Sequence, residues 1–363
     1  MQKGALIVCI LLLFTKNVLG NSNYIEYHKM INNAEQSIFI DSNFTKGIGW
    51  YRSAFEKYDF VFAADCLTAI QISLYANDEQ SFINFVRKGF ENGLILRHLK
   101  KVTFINKHSL YKKDSLLFER IYALDRSKYL SRIDTVVLKK MYDLFSKDQL
   151  TKNSLILPNG KFESINAHEK RYIPLIKSSI VELRKLVNEN GFISDRLIGI
   201  SQKDIMKELN LKCPDMEEYY WFNKNRNPCV IEIAQFKIDE LALYSEMIIE
   251  LLIHHPQRDN LFTDSFYLDQ INKGNIHPKD VATIFDMTFL SKGLSNKSPT
   301  NVKYFGVGIP VNLKPNTDKL PDSFLNYYRN QFYIANIEID RAKYLFMQRN
   351  KMYYIFGFMG YRS

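Results

Sequence analysis

The sequence has few cysteines, and their spacing does not match a zinc site. The 363 residues include four cysteines, and Cys9 lies in an N-terminal apolar run that we expect to be removed. Cys66 falls in an apolar helical stretch, which is typical of a small buried side chain. Cys213 and Cys229 flank a polar segment, and two outcomes stay open for them. They are free thiols, or they form a disulfide in an oxidising compartment, closing a loop of about 15 residues worth roughly 3 kcal/mol.

Long hydrophobic runs are also missing. The apolar run Ala5–Phe14 is ten residues long, which is too short to span a bilayer as a stable helix. With Lys3 before it and small residues after it, residues 1–20 resemble a signal peptide cut after Gly20. The alternative is a short N-terminal anchor. We expect a mature chain that is exported, periplasmic or secreted, with no integral membrane segment.

Acidic residues are in the minority. There are 49 Lys and Arg against 39 Asp and Glu, a formal charge of +10, which falls to +8 if Lys3 and Lys16 leave with the signal peptide. Residues 101–200 hold most of the excess, with 19 basic and 11 acidic residues. The basic residues are scattered rather than interleaved with stacking aromatics, so we predict no nucleic-acid partner. A solvated basic face is the simpler interpretation, and association with an anionic envelope surface is the alternative.

Recognised catalytic and cofactor motifs are absent. No Gly-x-Ser-x-Gly occurs. Gly306-Val307-Gly308 is too little for a phosphate-binding loop without a strand before it and a helix after it. We therefore predict no cofactor and no metal site.

Apolar periodicity predicts an all-α fold. A hydrophobic content of 46% and an aromatic content of 14% argue against disorder. Helical patterns at the N-terminus begin near positions 24, 43, 60 and 79, so each pair spans about 36 residues. This is close to the 34-residue period of tetratricopeptide hairpins. Such stacks usually present a concave surface to a protein or peptide partner.

Further helices are predicted along the rest of the chain. Asp148-Gln149 is predicted to close one of them, and residues 194–230 and 291–321 are predicted to be polar or proline-broken connections. The predicted domains are a signal peptide, tetratricopeptide-like hairpins, a second helical domain of unknown function and an aromatic extension: residues 1–20, 21–130, 131–300 and 301–363. The further predicted helices cover residues 118–129, 133–146, 172–189, 233–255, 261–272, 278–290 and 322–349.

The strongest apolar run lies in the helix predicted over 233–255. Leu241, Ile248, Leu251 and His255 fall on one stripe of that helix, and Pro256 ends it. Two interpretations of His255 stay open. It is a core histidine bonded to a backbone carbonyl, or it is a catalytic group directed into a cleft and oriented by a carboxylate.

The order of these parts resembles a family of exported bacterial proteins with tetratricopeptide-like hairpins and a helical domain of unknown function. In that family an Asp-Gln pair precedes an Arg. Asp148-Gln149 matches the pair, with Lys152 as the nearest basic residue. A Gly-aromatic-Pro helix end then leads to a Gly. Gly191-Phe192 and Gly199 match it, with Ile193 in place of the proline.

Two more family motifs follow. A hydrophobic helix ends in Gln-His-Ala-Asp, of which His255 is kept while Gln257 replaces the Asp. A later helix carries Asp-Arg, which is matched by Asp286 and followed here by Met287. The resemblance covers residues 24–290. The replaced charged partners imply that this chain has lost any active site that the family builds on them.

Three function classes follow from the sequence. The first is an exported helical scaffold that binds a protein or peptide. The second is an enzyme, a hydrolase or lyase, in which His255 acts as acid or base. Its candidate partners are Asp148, Gln149 and Asp286. The third is docking on the envelope surface through the aromatic C-terminal extension and the basic middle of the chain.

Overall fold

The fold is all-α, as predicted. A computed structural model describes residues 23–154, 170, 173–211, 243, 245–254, 262–293, 305–306 and 321–352, and within them the regular structure is entirely helical. The first eight helices are α1 Tyr24–Phe39, α2 Phe44–Lys57, α3 Ala63–Tyr75, α4 Glu79–Glu91, α5 Leu96–Lys101, α6 Thr103–Lys107, α7 Ser109–Lys113 and α8 Ser115–Leu130.

The second half of the described chain is also a set of packed helices. None of the described helices is both long and apolar enough to cross a bilayer. The helices are α9 Thr135–Ser154, α10 Ile173–Asn190, α11 Asp195–Ile198, α12 Gln202–Glu208, α13 Glu246–His254, α14 Asp264–Asn272, α15 Pro278–Gly293, α16 Asp322–Gln331 and α17 Ile337–Asn350.

The N-terminal part is built from helical hairpins. Helix α1 packs on α2 and α3 packs on α4, and α8 then packs against α4. Polar side chains cap several of these helices. Asn43 accepts a hydrogen bond from the Lys46 N–H at 3.0 Å, and Asp78 accepts one from the Ser81 N–H at 3.0 Å. Such caps satisfy N–H groups that the first turn of a helix leaves free.

Buried apolar side chains form two clusters. One lies among α1 to α8 and also takes in Met347 and Met352 from the C-terminal part of the chain. The other runs from Tyr129 at the end of α8 to Ile334. Helix α17 and helix α14 both pack on α1, so the two parts of the chain are in direct contact. The predicted domain boundaries stay predictions.

Several predicted boundaries were correct. Helix α1 begins at Tyr24, at the predicted position, and α15 begins at Pro278, where proline fits the first turn. Gly191 follows α10 with a φ of +77°, a left-handed conformation that favours glycine at a helix end. Cys66 is a buried free thiol, as expected.

Other predicted boundaries were wrong. Asp148-Gln149 does not close a helix, because α9 continues to Ser154 with no glycine or proline to stop it. The stretch 322–349 is two helices rather than one. The chain breaks between α16 and α17, where Tyr333 has a φ of +59°. The predicted connection after residue 194 begins with α11 and α12.

The hairpin of α1 and α2 gives a test of close helix contact. A Cβ added at Gly47 would lie 2.3 Å from Ile38 Cγ1, whereas one added at Gly49 on the same helix meets nothing within 4 Å. Overpacking costs about 1–3 kcal/mol, and alanine regains up to about 1 kcal/mol of helix propensity over glycine. We expect Gly47→Ala to lower the free energy of unfolding and Gly49→Ala to raise it.

Urea unfolding of the two variants and the wild-type chain measures this difference. Equal effects of Gly47→Ala and Gly49→Ala would contradict the packing of α2 on α1.

Candidate functional site

Three of the four residues predicted from the sequence lie on helices that pack against α13. Asp148 is buried on α9 and Asp286 is buried on α15. Helix α13 packs against both α9 and α15, so it lies beside the two helices that carry these carboxyl groups. Gln149 belongs to α9. His255 lies outside the described residues, directly after the last residue of α13.

Asp286 has a structural contact. Its Oδ1 accepts a hydrogen bond from the Phe305 N–H at 2.6 Å. This bond ties α15 to residues 305–306. Cys213 and Cys229 lie outside the described residues, so their pairing stays a prediction. The catalytic roles proposed for Asp148, Gln149, His255 and Asp286 also stay predictions.

A buried charge network joins the first helix to the C-terminal helices. Glu35 on α1 accepts hydrogen bonds at Oε1 from Lys343 on α17 and from Lys279 on α15, the second at 3.5 Å. The Lys279 ammonium also lies 3.7 Å from Asp340 Oδ1. Arg329 on α16 forms an ion pair with Asp340 Oδ2. All five residues are buried.

Arg329 links the network to the backbone between helices. Its Nε donates to the Ala335 carbonyl at 2.6 Å, and one terminal nitrogen donates to the Phe305 carbonyl at 2.8 Å. The side chain is 0% exposed. Because the guanidinium bonds in three directions, it holds together the break after α16, the start of α17 and Phe305.

The charges in the network influence each other strongly. Burial opposes ionisation of Asp340, but Arg329, Lys279 and Lys343 outweigh it and lower the pKa of Asp340 to about 2. Burial also opposes protonation of Lys279, yet Glu35 and Asp340 raise its pKa to about 12. For Lys343, burial and the neighbouring Lys279 prevail over the attraction of Glu35, and its pKa falls to about 8.

A second polar group adjoins the network. Asp65 accepts a hydrogen bond from the Tyr27 hydroxyl at 2.8 Å, and His277 Nε2 lies 3.5 Å from its other oxygen. The Lys279 N–H donates to His277 Nδ1 at 3.1 Å. Since Nδ1 accepts that bond, Nε2 is the ring nitrogen that carries the hydrogen facing Asp65.

His28 packs beside this group. Its ring lies edge-on to that of His277 with centroids 5.6 Å apart. Burial, followed by the nearby His277, lowers the pKa of His28 to about 3. His28 is therefore neutral at physiological pH, and its ring packs against His277 between α1 and the start of α15.

Two more buried carboxyl groups lie near α11. The Ser245 N–H donates to Asp195 Oδ1 at 2.5 Å. Burial raises the pKa of Asp195 to about 7. Burial and the nearby Asp195 raise the pKa of Asp280 well above its usual range. The two acids cannot both ionise cheaply in a buried site.

An open aromatic groove lies on the outer side of the charge network. Four rings form it, Phe39, Phe44, Tyr75 and Phe346, from α1, α2, α3 and α17. The Phe346 ring centroid lies 5.4 Å from that of Phe39 and 4.9 Å from that of Tyr75. The volume is about 390 Å³, and the other lining residues are Ile38, Ser42, Ala342, Leu345, Arg349 and Asn350.

The groove and the charge network lie on either side of helix α17. The Lys343 ammonium lies 5.7 Å from the Phe39 ring centroid, and the next residues of α17 that face outward line the groove. Sequence reasoning did not single out either feature. Glu35 falls beside Ile31 and Ile38 on the apolar stripe of α1. A charged residue in such a position indicates a buried ion pair, and this pattern is visible in the sequence.

The chemistry of these sites differs. The described residues include no group of three or more His, Cys, Asp or Glu side chains placed to hold a metal ion. The charge network is closed to solvent, so its contacts join helices. The groove is open to solvent and has both apolar and charged lining, which suits it to binding.

A scan of the sequence against protein-family models found no match, and searches of curated proteins and of solved structures found none either. The family resemblance stays a prediction.

The charge network gives a prediction about stability. Glu35→Gln leaves two buried ammonium groups with one fewer negative charge. Breaking a buried ion pair in this way typically costs about 3–5 kcal/mol. The double variant Glu35→Met/Lys343→Met removes both charges, so we expect a smaller loss than for Glu35→Gln. Urea unfolding measures both.

Glu26→Gln on the exposed side of α1 is the control, since Glu26 pairs there with Lys29 and we expect little change. A Glu35→Gln variant as stable as this control would contradict the role of the network.

Asp195 gives a prediction about pH. Its pKa is about 7 in the folded chain, above the usual value of 3.8, so the folded state binds more protons between these values. The contribution of Asp195 to the free energy of unfolding is therefore fully present below about pH 4 and is lost as pH rises through about 7. The loss is at most about 1.4 kcal/mol per pH unit for one site. Asp195→Asn keeps an oxygen for the Ser245 N–H and removes this loss.

We expect Asp195→Asn to stabilise the protein more at pH 7 than at pH 4 in urea unfolding. The exposed Asp143→Asn serves as control. Parallel stability profiles for Asp195→Asn and wild type across this range would be inconsistent with a raised pKa.

Proposed function

We propose that the protein is an exported helical scaffold that binds a protein or peptide partner through the aromatic groove. The observation that carries the proposal is the groove itself, an open surface formed by four aromatic rings at the ends of α1, α2, α3 and α17. The predicted signal peptide supports the export part of the proposal.

The size of the groove suits one or two side chains of a peptide. Its volume of about 390 Å³ is at the lower end of the range of ligand pockets. Tyr75 and Leu345 on its lining are exposed. Aromatic residues supply large contact area with few rotatable bonds, and they are common among the residues that dominate binding energy.

The charge beside the groove suggests which peptide it takes. Arg349 lines the groove, is exposed, and makes no ion pair within the described part of the chain. Lys351 follows at the end of α17 and is also exposed. We propose a partner segment with a bulky apolar side chain and a nearby carboxylate. The apolar side chain would enter among the rings while the carboxylate pairs with Arg349.

The groove is organised before any partner binds. Helix α17 supplies one wall, and its inner face is fixed to α1 through the Lys343 contact with Glu35. The rings also contact one another. The ring centroids of Phe44 and Tyr75, for example, lie 5.1 Å apart. A wall that is already in place reduces the ordering cost of binding, which favours recognition of a short segment.

Selection from a library of random peptides on the immobilised chain tests the proposal. We expect enrichment of peptides with Phe, Leu or Trp close to Asp or Glu. Leu345→Arg should reduce binding of the selected peptides at least tenfold, because it places a charge in the apolar part of the groove. Arg349→Glu should shift the preference from acidic to basic neighbours.

The matched control is Val136→Ser, which changes an exposed apolar residue away from the groove and should leave binding unchanged. If no peptide is enriched, or if Leu345→Arg binds the selected peptides as wild type does, the groove is not the binding site.

A further inference from the structure

Helix α8 has leucines on its solvent-facing side. Leu116 is 70% exposed, Leu124 is 62% exposed and Leu117 is 39% exposed. The opposite side of the helix is buried through Phe118, Ile121 and Tyr129. Large apolar side chains therefore lie on both sides of the helix, whereas a surface helix normally presents mainly polar residues to water.

The exposed residues form one row. Leu116, Arg120 and Leu124 are spaced by four, so they follow one another along the same face of the helix, and Leu117 flanks them. Arg120 is exposed and makes no ion pair within the described residues. A row of two leucines with an arginine between them combines apolar contact with positive charge.

The surrounding chain is strongly basic. Residues 100–140 contain eleven Lys and Arg and four Asp and Glu. The acidic groups near the exposed face of α8 are already engaged. Glu119 lies 3.6 Å from the Lys100 ammonium, and the buried Asp125 lies 3.3 Å from that of Lys128. Other cations carry no such partner in the described structure, among them Lys112, Lys139 and Lys140.

We propose that this face, defined by Leu116, Leu117, Arg120 and Leu124, docks the protein on an anionic lipid surface. The leucines enter the boundary between headgroups and acyl chains, and Arg120 contacts lipid phosphates, while the excess of basic residues over 100–140 adds attraction to the surface. Exposed leucine combined with cations on one helix face is the arrangement that interfacial helices use. Positive charge close to an anionic membrane adds attraction that salt weakens.

This surface is separate from the proposed peptide site. The groove is formed by α1, α2, α3 and α17, whereas α8 packs on α4 and α5. No residue is shared between them. Docking through α8 therefore leaves the groove residues out of the lipid contact, and the two proposals fail or succeed independently.

Sedimentation of the full chain with lipid vesicles tests the proposal. One vesicle preparation is phosphatidylcholine alone, and the other is an equimolar mixture of phosphatidylcholine and phosphatidylglycerol. We expect binding to the mixed vesicles, weak or no binding to phosphatidylcholine, and loss of affinity as salt rises. Leu116→Ser/Leu124→Ser should weaken binding at least tenfold. Arg120→Gln should weaken it and make it less sensitive to salt.

Val181→Ser, at an exposed apolar position on α10, is the matched control and should bind as wild type does. Circular dichroism of each variant verifies that the helices are intact. Absence of binding to mixed vesicles, equal binding to both preparations, or wild-type binding by Leu116→Ser/Leu124→Ser would overturn the proposal. A wild-type dimer that the leucine variant dissociates, without vesicle binding, would assign the face to a second copy of the chain.

Discussion

Glu35 is a charged residue in a position where the sequence pattern places an apolar one. It lies between the buried Ile31 and Ile38 on α1, and an isolated carboxylate there would be very costly. Lys343 and Lys279 compensate the charge, and they come from helices far away in the chain. The position of α15 and α17 against α1 therefore depends on bringing cationic partners to the buried Glu35 carboxylate.

Hydrophobic contact alone gives less directional control than these bonds do. Apolar helices can slide or rotate with modest loss, but a buried carboxylate requires its partners within hydrogen-bond distance. Asp340 is a second buried carboxylate that requires such partners, and Lys279 and Arg329 both lie against it. The bonds of Arg329 to the Ala335 and Phe305 carbonyls extend the same constraint to the turn between α16 and α17.

Local pattern was sufficient to predict the helical class and many helix bounds. The start of α1 follows from an apolar repeat that begins near residue 24, and this pattern is local. The start of α3 was misplaced because long-range contacts decide it. The Tyr24 hydroxyl donates to the Phe60 carbonyl and the Phe62 N–H donates to the Tyr27 hydroxyl, which keeps residues 60–62 out of the helix.

The sites were harder to predict, because they also depend on contacts between residues far apart in the sequence. Glu35 and Lys343 are 308 positions apart, and periodicity contains no information about which charge meets which. The sequence pattern indicated His255 and the short motifs around Asp148 and Asp286, since those are visible locally. The aromatic groove likewise combines side chains from both ends of the described chain, so it exists only once α17 has packed on α1.

This dependence links the stability of the fold to the proposed binding function. Lys343 points to Glu35 on one side and lies 5.7 Å from the Phe39 ring centroid on the other. A change that loosens the ion pair therefore also frees the helix that carries Leu345, Phe346 and Arg349. Such a change would weaken binding even though it touches no peptide atom. Peptide binding would in turn stabilise the contact of α17 with α1, because a ligand stabilises the state that it binds.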